Sequence, residues 1–452
     1  MTQIINEVTE KLKQGFTEFF TERTDRGLGE AERYFGHLIA EASLELLRAY
    51  YEEEDRRLLE DKAGRKQQGL TVEHRGVGRE ILTQLGPFHY NRTYYRKASG
   101  GYEYLIDEIA GVSSFARLSE GVSLSLVEAS CEMSYARASR HMTGEQVSRQ
   151  TVMNKIRSAE PRWEPVEYRE VRELHIDADE DHAHLQSGTS TAVPLVSVYE
   201  GKEYLGKRGI CRNVFHISEY GKAPEALWEQ VGDEIDRRYD LRNARIYLHG
   251  DGASWIREGL EWLPNCTFVL DPYHKNKAIK QALSGIGREI AGPYEDEIRQ
   301  ALKDGDRKQL RCLWESLSRQ YPERKKTIDE NLGYLMTNID AIAIVEKDVC
   351  ARNGGCTEPH VSHVLSARLS SRPMGWSRET LKHLAPILAA GGATFRSEEN
   401  PEPVYPPASQ FLKTDQKSYL PNTLGLADPD HSVTFPARKN KVTPLFNALR
   451  PF

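Results

Sequence analysis

Hydrophobic residues in the first quarter of the chain pass from helical spacing to strand spacing. Apolar residues such as Phe16, Phe19 and Phe20 recur at helical spacing, which predicts a helical N-terminal region over residues 1–67. Apolar residues then alternate on both sides of a Gly-Pro pair, which predicts a β-hairpin module over residues 68–105. The chain is therefore expected to begin with helices followed by one small sheet.

A helical pattern with a short interruption follows over residues 106–162. Gly144 marks the interruption, and Ser148 is a favourable N-cap for the helix after it. The pattern predicts a helix-turn-helix-like DNA-binding region, with a plain helical hairpin as the alternative. Four side chains of its second helix are able to contact phosphates or base edges: Arg149, Gln150, Asn154 and Lys155.

Basic and aromatic residues are interleaved along the predicted hairpin. This combination suits a phosphate backbone with stacked bases, although an ordinary aromatic face explains it equally well. The basic residues concerned are Arg92, Arg96 and Lys97. The hairpin is therefore a second candidate DNA contact.

After Pro161 and Pro165, short apolar runs alternate with amphipathic segments. Over residues 163–395 their order begins with three strands, then a helix, a strand, a helix, a strand and a helix. That order is typical of a ribonuclease-H-like α/β domain, here with a helical insertion at about 281–350. Residues 396–452 begin with a proline-rich stretch and are expected to form an extended C-terminal tail.

Acidic residues mark two of these predicted strands. Asp177, Asp179 and Asp181 alternate along the first strand, and Asp251 ends the fourth strand between two glycines. In an open sheet, functional groups gather at strand ends, and three carboxylates on one strand face repel each other unless a cation relieves them. A metal site is therefore predicted. Glu358, at the start of a helix after a glycine loop, is the candidate for a third carboxylate.

Histidines offer a different metal site, which would indicate another kind of hydrolase. The four candidate zinc ligands are His182, His184, His360 and His363. Their spacing matches no standard catalytic zinc site, so this interpretation ranks below a carboxylate site.

Composition narrows the classes of protein to consider. The 452 residues carry a formal net charge of -6, which gives no global nucleic-acid signal but leaves room for local basic patches. Six cysteines occur without a Cys-x-x-Cys pair, which argues against a disulfide framework and against a zinc ribbon. No apolar run approaches the ~18 residues of a membrane span, and no signal peptide is recognisable. A soluble, cytoplasmic protein that does not enter membranes is expected.

Four short segments, in this order along the chain, resemble motifs of the ISLre-type insertion-sequence transposases of bacteria, which are more distantly similar to Mutator-like transposases. The segments are Asp-Ala-Asp-Glu-Asp-His at 177–182, His-Gly-Asp-Gly-Ala-Ser-Trp-Ile at 249–256, Phe-Val-Leu-Asp-Pro-Tyr-His at 268–274 and Arg-Leu-Ser-Ser-Arg-Pro-Met-Gly-Trp-Ser at 368–377. The resemblance includes Arg-Thr-Tyr-Tyr at 92–95 and Tyr-Leu-Ile-Asp at 104–107, so it covers most of the chain.

The resemblance implies a ribonuclease-H-like DDE core that cuts and joins DNA at the terminal inverted repeats of a mobile element. It implies that Asp179, Asp251 and Glu358 are the catalytic acids and that they bind two Mg²⁺ or Mn²⁺ ions. Asp177 and Asp181 stay open as alternatives for the first acid. DNA is the implied partner, and a homo-oligomer, most simply a dimer, is expected because two element ends must be brought together.

Basic residues also open the helix predicted after the fifth strand. His274, Lys275 and Lys277 are expected to contact the scissile phosphate or flanking DNA, with a structural histidine beside solvated lysines as the alternative. For the whole protein, the alternatives are a non-catalytic DNA-binding regulator, an inactive transposase copy or another metal-dependent hydrolase.

Overall fold

Two long helices and a three-stranded sheet form the N-terminal part of the protein. The computed structural model describes residues 2–206 and 208–395, so the expected tail over 396–452 lies outside the described residues. The elements are α1 (Thr2–Thr21), α2 (Leu28–Glu60), α3 (Lys62–Gln67), β1 (Leu70–Thr83), β2 (Gly86–Lys97) and β3 (Tyr102–Glu103). α1 packs along α2 through aromatic rings, with the Phe19 and Phe35 centroids 4.7 Å apart. The predicted helices and the hairpin around Gly86 are confirmed.

Four helices connect this sheet to the second half of the described chain. They are α4 (Leu105–Ile109), α5 (Glu120–Glu132), α6 (Tyr135–Thr143) and α7 (Arg149–Ser158). Gly144 ends α6 in the left-handed conformation, with φ of 57°, which a glycine adopts without steric cost. The Ser148 side chain accepts a hydrogen bond from the Thr151 amide and so caps α7. The predicted interruption and N-cap are both present.

A mixed five-stranded sheet lies at the centre of the second half. The elements are β4 (Glu160–Pro161), β5 (Arg169–Glu170), β6 (Glu173–His184), β7 (Ser190–Tyr199), β8 (Lys202–Leu205), β9 (Arg208–Cys211), β10 (Phe215–Ile217), α8 (Pro224–Arg238), β11 (Tyr239–Asp240), β12 (Arg245–Gly250), α9 (Ser254–Trp262), β13 (Cys266–Leu270) and α10 (Pro272–Leu283). The strand order in the sheet is β10-β7-β6-β12-β13. β7 runs antiparallel to β6 and β10, whereas β6, β12 and β13 are parallel.

Helices fill the region of the predicted insertion. They are α11 (Arg288–Asp304), α12 (Arg307–Gln320), α13 (Lys325–Thr337) and α14 (Ile339–Lys347), followed by α15 (Thr357–Val361), α16 (Ala367–Leu369), α17 (Arg378–Ala390) and the short strand β14 (Ala393–Thr394). The side chains of Ile298, Leu317 and Leu332 are fully buried in the same hydrophobic core as the sheet. The inserted helices are therefore packed onto the sheet domain and do not form a separate core.

The two faces of β6 carry different chemistry. Leu174, Ile176 and Ala178 point into the hydrophobic core, which they share with α8. Because successive side chains of a strand point to opposite faces, the alternate residues, including Asp177 and Asp179, face the other side. The acids thus lie on the sheet face opposite to α8. Within the described residues, no helix is long and apolar enough to cross a membrane.

Candidate catalytic site

The parallel pairing of β6 and β12 brings two of the predicted acids together. The register pairs His249 with Asp177, so the next residues along both strands lead to Asp251 and Asp179. Gly250 makes this approach possible, because a Cβ added there would lie 2.9 Å from the Ala178 carbonyl oxygen. Two acids that are distant in sequence therefore meet where the C-terminal end of β12 lies beside the middle of β6.

The surroundings of Asp179 disfavour its charge. Burial, together with the nearby carboxylates of Asp251 and Asp271, raises the pKa of Asp179 to about 6, although the Glu180 amide and His274 oppose the shift. The Asp179 Oδ1 atom accepts a hydrogen bond from the Glu180 amide at 2.8 Å. A poorly hydrated carboxylate beside other carboxylates is the electrostatic setting that a divalent cation relieves. The chemistry of Asp179 and Asp251 thus fits a hard cation such as Mg²⁺.

Asp271 and His274 add a further acid and a base to this region. Asp271 is buried after β13 and caps α10, accepting a hydrogen bond from the Tyr273 amide at 2.8 Å. Its other oxygen accepts from the Thr357 hydroxyl at 2.8 Å. Burial alone would lower the pKa of His274, but the pairing with Asp271 and the carboxylates of Asp179 and Asp251 outweigh it and raise that pKa. His274 is therefore oriented toward carboxylates by Asp271, whose Oδ2 lies 3.4 Å from its Nδ1.

The third predicted acid does not complete a metal-binding set. Glu358 is exposed in the first turn of α15, and its side chain makes no hydrogen bond or ion pair with any described residue. No three His, Cys, Asp or Glu side chains among the described residues are arranged to hold one ion. The structure thus brings Asp179 and Asp251 together and leaves Glu358 one residue beyond Thr357, which contacts Asp271. The four histidines of the zinc interpretation form no such set either.

The carboxylates of the two alternatives for the first acid accept hydrogen bonds from other parts of the protein. The Asp177 carboxylate is buried and accepts hydrogen bonds from the Tyr199 hydroxyl and the Cys356 amide. Asp181 is also buried, and its Oδ1 accepts from the hydroxyls of Ser366 and Ser370 at 2.8 and 2.7 Å. Both alternatives thus already accept hydrogen bonds from protein donors, although Asp181 Oδ2 has no partner among the described residues. These contacts favour Asp179 as the candidate for the first acid.

Fewer basic side chains of the hairpin are available to contact DNA than its sequence indicates. Arg92 is buried, pairs with Asp107 and stacks its guanidinium 3.4 Å from the centre of the Tyr104 ring. The prediction that Arg92 contacts DNA is wrong, because this side chain is a buried ion-pair partner. Arg96 lies 3.7 Å from Glu73, and Lys97 pairs with Glu103. Acidic partners therefore neutralise the two basic residues that remain at the surface.

Helix α7 offers a better basic surface. Arg149, Gln150 and Asn154 are exposed on it, and Gln150 donates a hydrogen bond to Asn154 at 3.1 Å. Lys155 is half-buried, and burial lowers its pKa. Arg157 donates hydrogen bonds to Ser377 and Thr380 and so joins α7 to α17. The sequence pattern of α7 did not indicate this role, because the partners of Arg157 lie more than 200 residues farther along the chain.

The basic residues of α10 differ in exposure. Lys275 is half-buried, and burial followed by the Arg299 charge lowers its pKa. Lys277 is exposed, with its ammonium 5.7 Å from the centre of the Tyr273 ring. Of the two lysines, Lys277 is the one that is open to a polyanion.

Comparisons with known proteins identify the family but not an activity. The profile of UPF0236, described as an uncharacterised protein family, matches residues 25–400. The UPF0236 protein TTE2489 of Caldanaerobacter subterraneus subsp. tengcongensis is 38% identical over 365 residues, which cover 78% of this chain and 77% of the relative. A second protein of that organism, whose name joins eleven locus designations, is 38% identical over 365 residues, covering 78% of this chain and 76% of its own.

A more distant relative extends the match to another organism. The UPF0236 protein in the vanSb 3′ region of Streptococcus gallolyticus is 24% identical over 391 residues, which cover 81% of this chain and 84% of the relative. The family match spans more than half of the chain, from before the hairpin to beyond α17. The chain therefore belongs to the uncharacterised protein family UPF0236.

Proposed function

We propose that this protein is a DNA transposase with a DDE-type active site, as its resemblance to the ISLre-type enzymes implies. The observation that carries the proposal is the juxtaposition of Asp179, in the middle of β6, and Asp251, at the end of the neighbouring parallel strand β12. Burial, assisted by the neighbouring carboxylates, raises the pKa of Asp179, which supports a site whose negative charge a bound cation would stabilise.

The topology of the sheet supports a ribonuclease-H-like domain. If the five strands are numbered in their order along the chain, the sheet order β10-β7-β6-β12-β13 reads 3-2-1-4-5. The second strand, β7, runs antiparallel to the other four, which share one direction. The order of strands and helices in the sequence indicates the same domain. The proposal therefore rests on agreement between topology, motif order and the position of the acids.

The naming of the relatives gives independent support. One relative carries eleven locus designations of a single organism under one protein name. A protein that recurs at many loci of one genome is what a mobile element produces. The same feature is not expected of a regulator encoded once.

The chain's own residues suggest how the reaction proceeds. Asp179 and Asp251 would hold the metal ions, with Glu358 as the third acid once substrate is bound. When bound, Mg²⁺ or Mn²⁺ supplies activation of the attacking oxygen and neutralises charge on the phosphate. His274, held by Asp271, is positioned to donate a hydrogen bond to a phosphate oxygen. In cleavage, water attacks the phosphodiester and its P–O3′ bond breaks, which leaves a free 3′ hydroxyl and a 5′ phosphate. That hydroxyl then attacks a target phosphodiester, and the new P–O bond forms as the target's own P–O3′ bond breaks and releases its 3′ hydroxyl, without a covalent protein intermediate.

Recognition of DNA is assigned to the exposed side of α7. Arg149, Gln150 and Asn154 combine a cation with two amides, which suits phosphate and base-edge contacts. We expect the protein to act in the bacterial cytoplasm as a homodimer, because both ends of an element must be held during strand transfer.

The experiment is cleavage of labelled duplexes that carry the genomic DNA flanking the gene, with Mg²⁺, with Mn²⁺ and with EDTA. The parent is compared with Asp179→Asn, Asp251→Asn and Glu358→Gln. His182→Ala is the matched control, because His182 is exposed on the same strand as Asp179. We expect metal-dependent cutting by the parent and the control, and a loss of about 10²-fold or more in the three carboxamide variants at unchanged DNA affinity.

Two results would contradict parts of this proposal. Cutting that survives in Asp179→Asn would remove Asp179 as the first acid. Tight binding without cutting by the parent, with either metal, would instead support a DNA-binding regulator or an inactive copy. That second candidate is favoured by one observation, namely that no three metal-ligating side chains of the described residues are preassembled.

A further inference from the structure

The segment that carries Glu358 is held onto the sheet by buried carboxylates. Asp177 accepts hydrogen bonds from the amides of Gly355 and Cys356, at 3.3 and 2.8 Å. One residue before Glu358, the Thr357 hydroxyl donates to Asp271. Farther along, Asp181 accepts from two serine hydroxyls of the same segment. Each of these acids is therefore an anchor for residues 354–370 rather than a solvent-facing group.

Asp177 is the anchor that acts through the backbone just before Glu358. Its two oxygens also accept from the Tyr199 hydroxyl, at 3.1 and 3.0 Å, so the carboxylate itself is fixed. His360 Nδ1, on α15, lies 3.2 Å from Asp177 Oδ2. Donors from a neighbouring strand and from the loop thus converge on one carboxylate that is 2% exposed.

The loop between these contacts has little freedom of its own. A side chain at Gly354 would overlap the rings of His249 and His175, so the backbone lies directly on the sheet there. Gly355 adopts φ of 75°, which other residues adopt only with strain. With the backbone fixed at Gly354, Gly355 and Cys356, the position at which α15 begins is fixed as well.

We propose that Asp177 is a positioning residue, which holds the Glu358-bearing helix beside Asp179. The inference rests on the proposed function, because it gives Glu358 the role of third acid. Asp177 and Asp179 share one strand face, so a contact at the first fixes α15 relative to the second. A carboxylate suits this role because both of its oxygens accept hydrogen bonds, whereas the amide of asparagine has a single acceptor oxygen.

The test compares Asp177→Asn with Asp181→Asn. Both residues are buried on the same strand face and anchor the same segment, but Asp181 contacts residues well beyond Glu358. Amide hydrogen exchange, measured without metal or DNA, reports whether the loop is released. We expect Asp177→Asn to speed exchange of the Gly355 and Cys356 amides at least about tenfold, the factor for one lost hydrogen bond to a charged group. Asp181→Asn should leave these amides unchanged.

Binding of Mn²⁺, followed by its electron paramagnetic resonance signal, connects the loop to the acids. Asp177→Asn should weaken Mn²⁺ binding as much as Glu358→Gln does, while Asp181→Asn binds like the parent. If Asp177→Asn does not fold, Tyr199→Phe replaces it, because that change removes only the hydroxyl that donates to Asp177. The same two readouts then apply.

Each outcome decides the inference separately from the proposed function. Unchanged exchange at Gly355 and Cys356 would overturn it, and so would faster exchange with Mn²⁺ binding like that of the parent. Equal effects from Asp181→Asn would also overturn it, since the segment would then be held as a whole. A parent that binds Mn²⁺ but cuts no DNA would contradict the transposase proposal and leave these measurements valid.

Discussion

At the scale of single residues, strand β6 carries carboxylates whose roles differ by what surrounds them. Asp177 is surrounded by protein donors, whereas Asp179 has one backbone donor and two neighbouring carboxylates. Hydrogen-bond donors favour the ionised form of a buried acid, and neighbouring carboxylates disfavour it. The pKa of Asp177 is accordingly lowered by its donors in spite of burial, and that of Asp179 is raised by burial and, to a smaller extent, by the neighbouring carboxylates. Two identical side chains, two positions apart, thus become an anchor and a candidate ligand.

Cys356 is expected to be the more reactive member of a thiol pair. The Cys211 thiol lies 3.7 Å from it and donates to its sulfur, which lowers the pKa of Cys356; burial opposes this and the Lys202 ammonium assists. At pH 7 we expect iodoacetamide to alkylate Cys356 at least about tenfold faster than Cys131 or Cys266, because the thiolate is the reactive form. Burial raises the pKa of both reference thiols to about 12.

Mass spectrometry of the digested protein measures each rate of alkylation. Cys211→Ala removes the donor and should slow the reaction of Cys356. An unchanged rate in this variant would show that the neighbouring thiol does not stabilise the thiolate.

At the scale of elements, α7 is the helix on which the DNA-binding prediction depends. We expect Arg149→Ala to weaken binding of the flanking duplex about tenfold, within the ~1–3 kcal/mol of a specific contact. Arg96→Ala is the matched control, because Arg96 lies beside Glu73 and its charge is already compensated. Fluorescence anisotropy at two salt concentrations measures both affinities. A larger loss from Arg96→Ala would move the interface to the hairpin.

The contact between α8 and α9 depends on a glycine. A Cβ added at Gly259 would lie 2.6 Å from the Trp228 ring, which is fully buried. We expect Gly259→Ala to lower the free energy of unfolding by ~1–3 kcal/mol, the usual cost of overpacking. Gly232→Ala on α8 is the control, since a Cβ there meets nothing within 4 Å and should stabilise the helix by ~0.5–1 kcal/mol. Urea unfolding measures both, and equal effects would contradict close packing at Gly259.

Local signals in the sequence were enough to predict these elements, but not the role of each acid. Gly144 and Ser148 carry their turn and cap preferences within a few residues, so the start of α7 is readable. The alternation along β6 predicts that Asp177 and Asp179 share a face, yet it cannot distinguish them. Their difference comes from the 354–370 segment, which packs against β6 only after the chain folds. Arg92 failed as a prediction for a similar reason, because its partner Asp107 lies on another element.

At the scale of the whole molecule, the centre of the sheet contains a pair of buried histidines. His175 Nδ1 lies 3.1 Å from His249 Nε2, and both rings lie between strands and the loop at Gly354. Burial, followed by the proximity of His249, lowers the pKa of His175 to about 3. A protonated pair would place positive charge where the described protein has packed rings, so folding of the sheet is linked to pH.

The sign of this linkage follows from the two states of His175. Unfolded histidine has a pKa of about 6.5, so below that pH the unfolded chain binds a proton that the folded chain refuses. The contribution of His175 to stability is therefore fully present above about pH 6.5 and is lost as the pH falls toward 3. Because one proton is bound only by the unfolded state, the free energy of unfolding falls by ~1.4 kcal/mol for each unit by which the pH is lowered in this interval. Asp179 has the opposite effect on stability. Its pKa is raised to about 6 in the folded protein, so the folded state gains stability relative to the unfolded state as the pH falls below about 6.

Comparison of variants separates these opposing contributions. The free energy of unfolding is measured from pH 8 to pH 5 for the parent, His175→Asn and His182→Ala, each referred to its own value at pH 8. We expect His175→Asn, which has no group to protonate, to lose less stability on acidification than the parent, by up to ~1.4 kcal/mol per pH unit below pH 6.5. His182 is exposed, so His182→Ala should follow the parent. A parent and His175→Asn with the same pH slope would show that folding does not lower the pKa of His175 and that this residue does not link the stability of the sheet to pH.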